Sequence, residues 1–251
     1  MPVRHTEPVM GTVFSFELRD CDDPAVLEPV LARLHELDAC YSTYQQDSII
    51  SRLNRREIGY DSLPEEVRQV LTACQSWHTG TDGWFDIHRD GSVDPSGYVK
   101  GWAIDEASRL LVAAGSHWHS VNGGGDILAV APPGARPWRF GIIDPRDNTQ
   151  LRGTVSGHRV ALATSGIAER GEHIWDPFTG APARSTVLSL SVSGRDIIEC
   201  DVLATAGFAR GDGAVAWLRG RPGIEVLACY ADGSTSEQHV VRFEPTREAS
   251  Y

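Results

Sequence analysis

The sequence predicts an α+β fold in a single domain over residues 1–251, with mixed or antiparallel sheets and packed helices. Apolar residues recur at helical spacing mainly in the first half of the chain. The second half contains short alternating or apolar runs bounded by Gly, Pro or Asp, as strands are. Helical and strand patterns do not alternate strictly, which disfavours a doubly wound parallel sheet.

The individual elements are read from the same patterns. A short strand begins at Val13, and a helix starts near Pro24 and keeps helical spacing to Leu37. Further helices are predicted over Pro64–Trp77, Lys100–Ala114, Asp201–Phe208 and Ala214–Leu218. Strands are predicted over His119–Val121, Ile127–Ala131, Trp138–Ile143, Arg159–Ala163, Val187–Val192, Ile224–Tyr230 and Gln238–Phe243. The Asp232-Gly233 pair predicts a hairpin between the last two strands.

Composition restricts the classes of function. Asp and Glu number 34 against 23 Lys and Arg, and a formal net charge of −11 disfavours nucleic-acid binding. A local phosphate site stays possible if a metal ion supplies positive charge. The five cysteines form no CxxC pair and are odd in number, which indicates reduced thiols and a cytoplasmic protein. No signal-peptide core is seen in residues 1–10, and no apolar run suggests membrane insertion.

A turn that leads into a helix occupies Val93 to Asp105. Gly97 within it lets backbone atoms approach a ligand closely, and Lys100 follows three residues later. A helix N-terminus with a lysine beside it suits a phosphate group. An ordinary turn followed by a lysine whose apolar stem lies along the surface is the alternative.

Three consecutive glycines lie between two predicted strands, in the stretch from Asn122 to Asp126. A backbone without side chains suits a flat ring or a phosphate, and a tight hairpin explains the glycines equally well. The dinucleotide-binding fingerprint is excluded, because its spacing is absent and a strand rather than a helix follows.

Hydroxyl groups, a histidine and a carboxylate are gathered between Thr164 and Gly180. A histidine in such a polar segment, here His173, can act as a general base near neutral pH. Asp176 follows it and could orient the imidazole ring. The alternative is a histidine that only forms hydrogen bonds within its loop.

Two patterns suggest metal ligands. Asp201 and Thr205 are four residues apart, so both side chains point from one face of a helix. A carboxylate and a hydroxyl are hard oxygen ligands that suit Mg²⁺. A helix-capping aspartate with a buried threonine is the alternative. His117 and His119 alternate as residues on one strand face do, but no third ligand is evident beside them.

Side chains that could hold a fused ring system lie nearer the N-terminus. The segment Met10 to Thr12 precedes Tyr41 to Tyr44, with Ser48 and Asn54 behind. Aromatic faces and a methionine side chain can contact a flavin, although core packing explains them as well.

In order and spacing, these stretches resemble the ApbE family of FAD:protein FMN transferases. The resemblance runs from Met10 to the helix at Asp201, about three quarters of the chain. The matching segments are Met10-Gly11-Thr12, Tyr41-Ser42-Thr43-Tyr44, Asp82-Gly83-Trp84-Phe85-Asp86, Asp94 with Gly97 and Lys100-Gly101, Asn122-Gly123-Gly124, Thr164-Ser165-Gly166, His173 to Gly180, and Asp201 with Thr205-Ala206. Each segment is weak alone, and their common order makes the resemblance specific.

The resemblance implies an Mg²⁺-dependent enzyme that moves FMN from its substrate FAD to a Thr or Ser hydroxyl of an acceptor flavoprotein, with release of AMP. It implies a metal site at Asp201, Thr205 and the backbone carbonyl of Gly97. It implies a catalytic base at His173, close to Asp176. The residues implied to contact FAD are Met10, Tyr44, Phe85, Asp86, Lys100, Asn122, Gly123, Gly124, Thr164, Ser165 and Gly166.

One departure from the family concerns the connection after Phe85-Asp86. Only Ile87 to Val93 intervene before the next family segment, whereas family members usually have a longer loop that helps to form the FAD pocket. Two other functions fit the same residues: hydrolysis of FAD to FMN and AMP, and FAD binding without catalysis. Asp201, Thr205 and His173 disfavour a simple binder, because binding alone needs no base beside a metal.

Overall fold

A computed structural model describes residues 1–167 and 174–238, and its largest element is an eight-stranded antiparallel sheet. In chain order the described strands are β1 (Val3–Val9), β2 (Thr12–Leu18), β3 (His88–Arg89), β4 (Ser92–Val93), β5 (His119–Gly123), β6 (Asp126–Val130), β7 (Trp138–Asp144), β8 (Asp147–Gly157), β9 (Arg159–Gly166), β10 (Trp175–Asp176), β11 (Ala181–Pro182), β12 (Val187–Gly194), β13 (Glu225–Tyr230) and β14 (Thr235–Gln238). The order across the large sheet is β1-β2-β5-β6-β9-β12-β13-β14, and β3–β4, β7–β8 and β10–β11 form separate two-stranded ribbons.

The helices pack on one face of this sheet. The described α-helices are α1 (Glu28–Tyr41), α2 (Ile49–Asn54), α3 (Glu65–Gly80), α4 (Ser96–Ala113), α5 (Ile197–Arg210) and α6 (Ala214–Leu218). Alternation along β2 places Phe14, Phe16 and Leu18 in the core beneath them. The β7–β8 ribbon packs on the opposite face, where Ile142 and Val155 contact β9 and β13 side chains. The predicted α+β class is confirmed.

Helix α5 starts earlier than the sequence predicts. It begins at Ile197, where Asp196 accepts hydrogen bonds from the N–H groups of Ile198 and Glu199 and serves as the N-cap. Asp201 is therefore a buried residue inside the helix, only 1% exposed. The alternative in which Asp201 caps the helix is wrong.

Six strands were not predicted: β1, β8 and the two-residue strands β3, β4, β10 and β11. β1 carries only two buried residues, at its ends, and β8 is exposed over its first half, so neither shows an apolar pattern. The Asp232-Gly233 turn does join two antiparallel strands, although the second, β14, begins at Thr235. Most of the predicted strand Gln238–Phe243 lies outside the described residues.

No helix within the described parts of the chain is long and apolar enough to span a membrane. All five cysteines are free thiols, and Cys74, Cys200 and Cys229 are buried.

The two histidines proposed as a metal pair are separated. His117 is exposed, whereas His119 is fully buried in β5. His119 Nδ1 donates to the carbonyl of Ser116 at 3.0 Å, and its Nε2 lies 2.9 Å from the hydroxyl of Ser108. Among the described residues no group of three or more His, Cys, Asp or Glu side chains could hold a metal.

His119 predicts a pH dependence of stability. Burial lowers its pKa to about 4 in the folded state, against an ordinary value of 6.5. Below about pH 6.5 the imidazole binds a proton in the unfolded chain but stays neutral in the folded chain. The free energy of unfolding therefore falls as the pH is lowered toward 4, and this group contributes a slope of about 1.4 kcal/mol per pH unit. Urea unfolding at several pH values, compared with His119→Gln, measures this slope. Equal slopes in both proteins would contradict the prediction.

Candidate active site

A cleft of about 360 Å³ lies where α4 and α5 meet the ends of the sheet strands and the two short ribbons β3–β4 and β10–β11. Eleven of the sixteen predicted site residues line it: Phe85, Asp86, Gly97, Lys100, Gly124, Thr164, Ser165, Gly166, Asp176, Asp201 and Thr205. The structure thus brings together residues that are more than 100 positions apart in the sequence. A volume of this size is within the range of small-molecule sites.

Two glycines let α4 approach α5 closely. A Cβ atom added to Gly101 would lie 3.1 Å from both Cβ of Asp201 and the carbonyl oxygen of Ile197. One turn earlier, a Cβ on Gly97 would lie 3.2 Å from the Phe85 ring and 3.6 Å from the hydroxyl of Thr205. Because both pairs are spaced by four residues, Asp201 and Thr205 on α5 lie against Gly101 and Gly97 on the facing side of α4.

The backbone of α4 is in direct contact with Asp201. The Gly101 N–H, which in a regular helix donates to the Gly97 carbonyl, reaches Asp201 Oδ2 at 2.9 Å. This contact fixes the orientation of the carboxylate. The Gly97 carbonyl, the backbone ligand that the family resemblance implies, belongs to the residue one turn before Gly101 on the same helix.

Lys100 bridges two buried carboxylates. Its Nζ donates to Asp126 and lies 3.2 Å from Oδ1 of Asp201. Asp126 is 0% exposed and also accepts a hydrogen bond from the Thr164 N–H at 2.8 Å. Burial raises the pKa of Asp201, and the nearby Asp126 raises it further, against the opposing effect of Lys100. Two carboxylates and one ammonium leave this cluster with one unbalanced negative charge when both acids are ionised.

The donor set fits Mg²⁺. Asp201 supplies a buried carboxylate, and the hydroxyl of Thr205 lines the cleft without a hydrogen-bond partner in the described parts of the chain. Mg²⁺ is commonly held by one or two carboxylates, with waters and substrate phosphates completing its shell, rather than by a full protein cage. The unbalanced negative charge of the group formed by Lys100, Asp126 and Asp201 favours a cation at this end of the cleft.

Four predicted flavin contacts do not line the cleft. Tyr44 is 92% exposed. Met10, at φ 56°, forms the β1–β2 turn and packs its side chain against the core. Gly123 lies under the Phe14 ring, where an added Cβ would be 2.8 Å away. Asn122 Oδ1 accepts from the backbone N–H of Gly125 and so stabilises the β5–β6 turn. As flavin contacts, all four stay predictions.

The proposed acid–base pair is only partly visible. His173 lies outside the described residues, so its role stays a prediction. Asp176 lines the cleft, and its Oδ1 accepts from the N–H groups of Phe178 and Thr179. Oδ1 of this carboxylate therefore stabilises its own turn. Within the described residues, Oδ2 is available to accept a hydrogen bond from an imidazole ring or a substrate.

The connection Ile87 to Val93, which the family resemblance links to the FAD pocket, forms a two-stranded ribbon that the sequence did not predict. Residues 87–90 of this connection line the cleft, and Asp90 and Gly91 form the ribbon's turn with φ of 52° and 77°. The Asn54 side chain holds β4 through two hydrogen bonds to Val93, of 2.9 and 2.7 Å. The Arg89 guanidinium lies 3.2 Å above the Trp175 ring. The Asp-Gly turn pair was the only local signal for this ribbon.

The fold and the cleft define a class of protein: an antiparallel α+β fold in which a close helix crossing presents a carboxylate and a hydroxyl group to a cleft of about 360 Å³. The model of the ApbE family matches residues 10–90 and 88–228. The chain belongs to the ApbE family. The two matched segments meet at 88–90, inside the β3–β4 ribbon, where the sequence analysis predicts a shortened loop.

Individual relatives agree with this assignment. The chain is 29% identical over 207 residues to the FAD:protein FMN transferase of Treponema pallidum, covering 70% of this chain and 57% of that protein. It is 34% identical over 151 residues to the protein of the same name from Rhodobacter capsulatus, covering 57% and 29%. The chain therefore spans little more than half of the first relative and under a third of the second.

Solved structures show the same fold. The ApbE protein of Thermotoga maritima superimposes with a TM-score of 0.85 at 21% identity, over 95% of this chain and 97% of that one. The flavin transferase ApbE of Vibrio cholerae gives a TM-score of 0.80 at 22% identity, over 97% and 98%. The fold is thus shared over nearly the whole length of both chains.

Proposed function

We propose that this protein is an FAD:protein FMN transferase, which moves FMN from FAD to a Thr or Ser hydroxyl of an acceptor protein and releases AMP. The names of its relatives support the reaction. The observation in this chain that carries the proposal is the placement of Asp201 and Thr205 at one end of the cleft, beside the ion pair of the half-buried Lys100 with the buried Asp126. This arrangement is suited to a metal and a phosphate ester rather than to an apolar ligand.

Asp201 and Thr205, with the Gly97 carbonyl, would hold Mg²⁺. When bound, the ion would neutralise the pyrophosphate and stabilise the charge that develops on the leaving phosphate. Lys100 keeps Asp201 in place and reduces the repulsion between the two buried carboxylates. Thr164, whose N–H is fixed by Asp126, holds the end of β9 against the cleft.

The proposed transfer is a single displacement at phosphorus. The acceptor hydroxyl oxygen forms a bond to the phosphorus on the FMN side of the pyrophosphate, and the bond from that phosphorus to the bridging oxygen breaks. The bridging oxygen leaves with AMP. The hydroxyl proton passes to a base, for which His173 is the first candidate and Asp176 the second.

Mass spectrometry of products tests this function against its alternatives. The protein is incubated with FAD and Mg²⁺, alone and with Ser- and Thr-containing candidate acceptor peptides. A peptide that gains the FMN mass supports the transferase. AMP formed in the absence of any peptide indicates an FAD pyrophosphatase. The absence of both products indicates an FAD-binding protein and contradicts the proposal.

Thr205 provides a test of the metal site. Thr205→Val keeps the shape of the side chain and removes its hydroxyl, so the Mg²⁺ concentration for half-maximal activity is expected to rise by up to about tenfold. Thr205→Ser keeps the hydroxyl and is expected to stay close to the unmodified protein. A magnesium titration of AMP formation measures both. An unchanged titration in Thr205→Val would remove Thr205 from the metal site.

A further inference from the structure

Acidic side chains outnumber basic ones along the cleft, so a bound pyrophosphate would have few cationic partners. The acidic residues along it are Asp86, Asp90, Asp94, Asp176 and Asp201. Two of the three N–H donors of Lys100 are directed to carboxylates, so its charge is largely offset. A substrate with two phosphate groups therefore needs a second cation besides any metal ion, to limit repulsion from these acids.

Arg89 is the arginine that lines the described part of the cleft, and its side chain is positioned for anion binding. Its guanidinium carbon lies 3.2 Å from the centroid of the Trp175 ring, which also lines the cleft. Stacking uses the face of the guanidinium and leaves its in-plane N–H groups free. Within the described residues, Arg89 donates no side-chain hydrogen bond, and its one ion pair, with Asp90 at 3.5 Å, is solvent-exposed.

The backbone that carries Arg89 is well anchored. Ile87 is buried, and its carbonyl accepts from the Asp94 N–H at 2.7 Å, which closes the base of the ribbon. Asn54 ties the second strand of the ribbon to α2 through both of its amide atoms. A short, anchored ribbon and a stacked side chain lower the entropy that Arg89 loses on binding a ligand.

We propose that Arg89, held over the ring of Trp175, binds the pyrophosphate oxygens of the substrate. This inference rests on the proposed function for the identity of the substrate, and it assigns to the shortened ribbon a role in recognition. Arg89 is the binding residue, and Trp175 is a positioning residue that presents the guanidinium edge to the cleft. A planar fork of donors matches phosphate oxygens in pairs, which a lysine cannot do.

Binding without turnover tests the proposal. Calorimetry in the presence of Mg²⁺ measures the dissociation constants of ADP, inorganic pyrophosphate and riboflavin, the last of which has no phosphate. Arg89→Ala is expected to weaken ADP and pyrophosphate binding by about 10- to 100-fold and to leave riboflavin binding unchanged. Arg89→Lys should recover only part of the loss. Trp175→Ala should lose part of the affinity, and Trp175→Phe should retain most of it.

The matched control is Arg221→Ala. Arg221 also stacks on a tryptophan, 4.9 Å from the Trp217 ring, and donates to the carbonyl of Gly80, but it does not line the cleft. Its removal should leave the affinity for ADP and pyrophosphate unchanged. Thermal melting of each variant checks that the fold persists, which is expected for the exposed Arg89.

Two results would overturn the proposal: unmodified protein that binds neither ADP nor pyrophosphate, or Arg89→Ala protein whose affinity for both is unchanged. Failure of the proposed function gives a different pattern. In that case the unmodified protein forms neither AMP nor a flavinylated peptide from FAD, while the dependence of pyrophosphate binding on Arg89 persists.

Discussion

Asp201→Asn is expected to reduce Mg²⁺-dependent AMP formation by about 1,000-fold, since a metal contributes several kcal/mol of transition-state stabilisation. The asparagine keeps a side-chain oxygen for the Gly101 N–H and so preserves the contact between α4 and α5. It removes the negative charge that would hold the ion, and its amide group cannot accept from Lys100 as the second carboxylate oxygen does.

The comparison variant is Asp105→Asn. Asp105 lies on α4 and pairs with Arg109 four residues along the same helix, away from the cleft. Initial rates over a magnesium titration are measured for both variants. Asp105→Asn should behave as the unmodified protein. An Asp201→Asn protein that keeps its rate and its magnesium response would exclude Asp201 as a ligand.

His173→Ala is expected to form AMP or a flavinylated peptide at least ~100-fold more slowly while binding FAD normally. An acceptor hydroxyl is almost fully protonated at neutral pH, and a positioned general base typically contributes ~10²–10⁴-fold to the rate. A base acts on the transition state, so its loss should lower kcat with little change in the dissociation constant of FAD.

His35→Ala is a suitable control, because His35 is an exposed residue of α1 that pairs with Glu7 outside the cleft. Single-turnover rates separate chemistry from FAD binding for both variants. If His173→Ala turns over within a few-fold of the unmodified protein, His173 is not the base. Asp176, with one carboxylate oxygen outside its own turn, would then be tested in the same way.

The sequence predicted the elements whose pattern is local. The alternation in β2 and the helical spacing in α4 follow from one buried face each, and both elements are present. Eleven residues of the cleft were predicted through short segments that follow one another in the order of the ApbE family. Asp201 and Thr205 needed no long-range information, because their common helix face follows from their spacing alone.

Contacts between distant segments could not be predicted in the same way. Asp126 was noted only as the end of a glycine turn, yet it is the buried partner of Lys100. Arg89 and Trp175 are 86 positions apart, and neither has an apolar pattern or a charge cluster that points to the other. The strand β1 escaped detection because an edge strand with a polar sequence lacks the alternation that a buried face imposes.

The glycine contacts between α4 and α5 have a consequence for how this protein can change over evolutionary time. Gly97 and Gly101 fix the positions of Asp201 and Thr205 through helix packing, whereas another wall of the cleft is formed by residues 87–90, next to and within the separate β3–β4 ribbon. The end of the cleft that contains Asp201 and Thr205 is thus built into the helix packing of the scaffold, and the ribbon can be lengthened, shortened or exchanged as an independent module. A ribbon of different length or sequence would change the shape of the cleft without altering the helix crossing at Asp201 and Thr205.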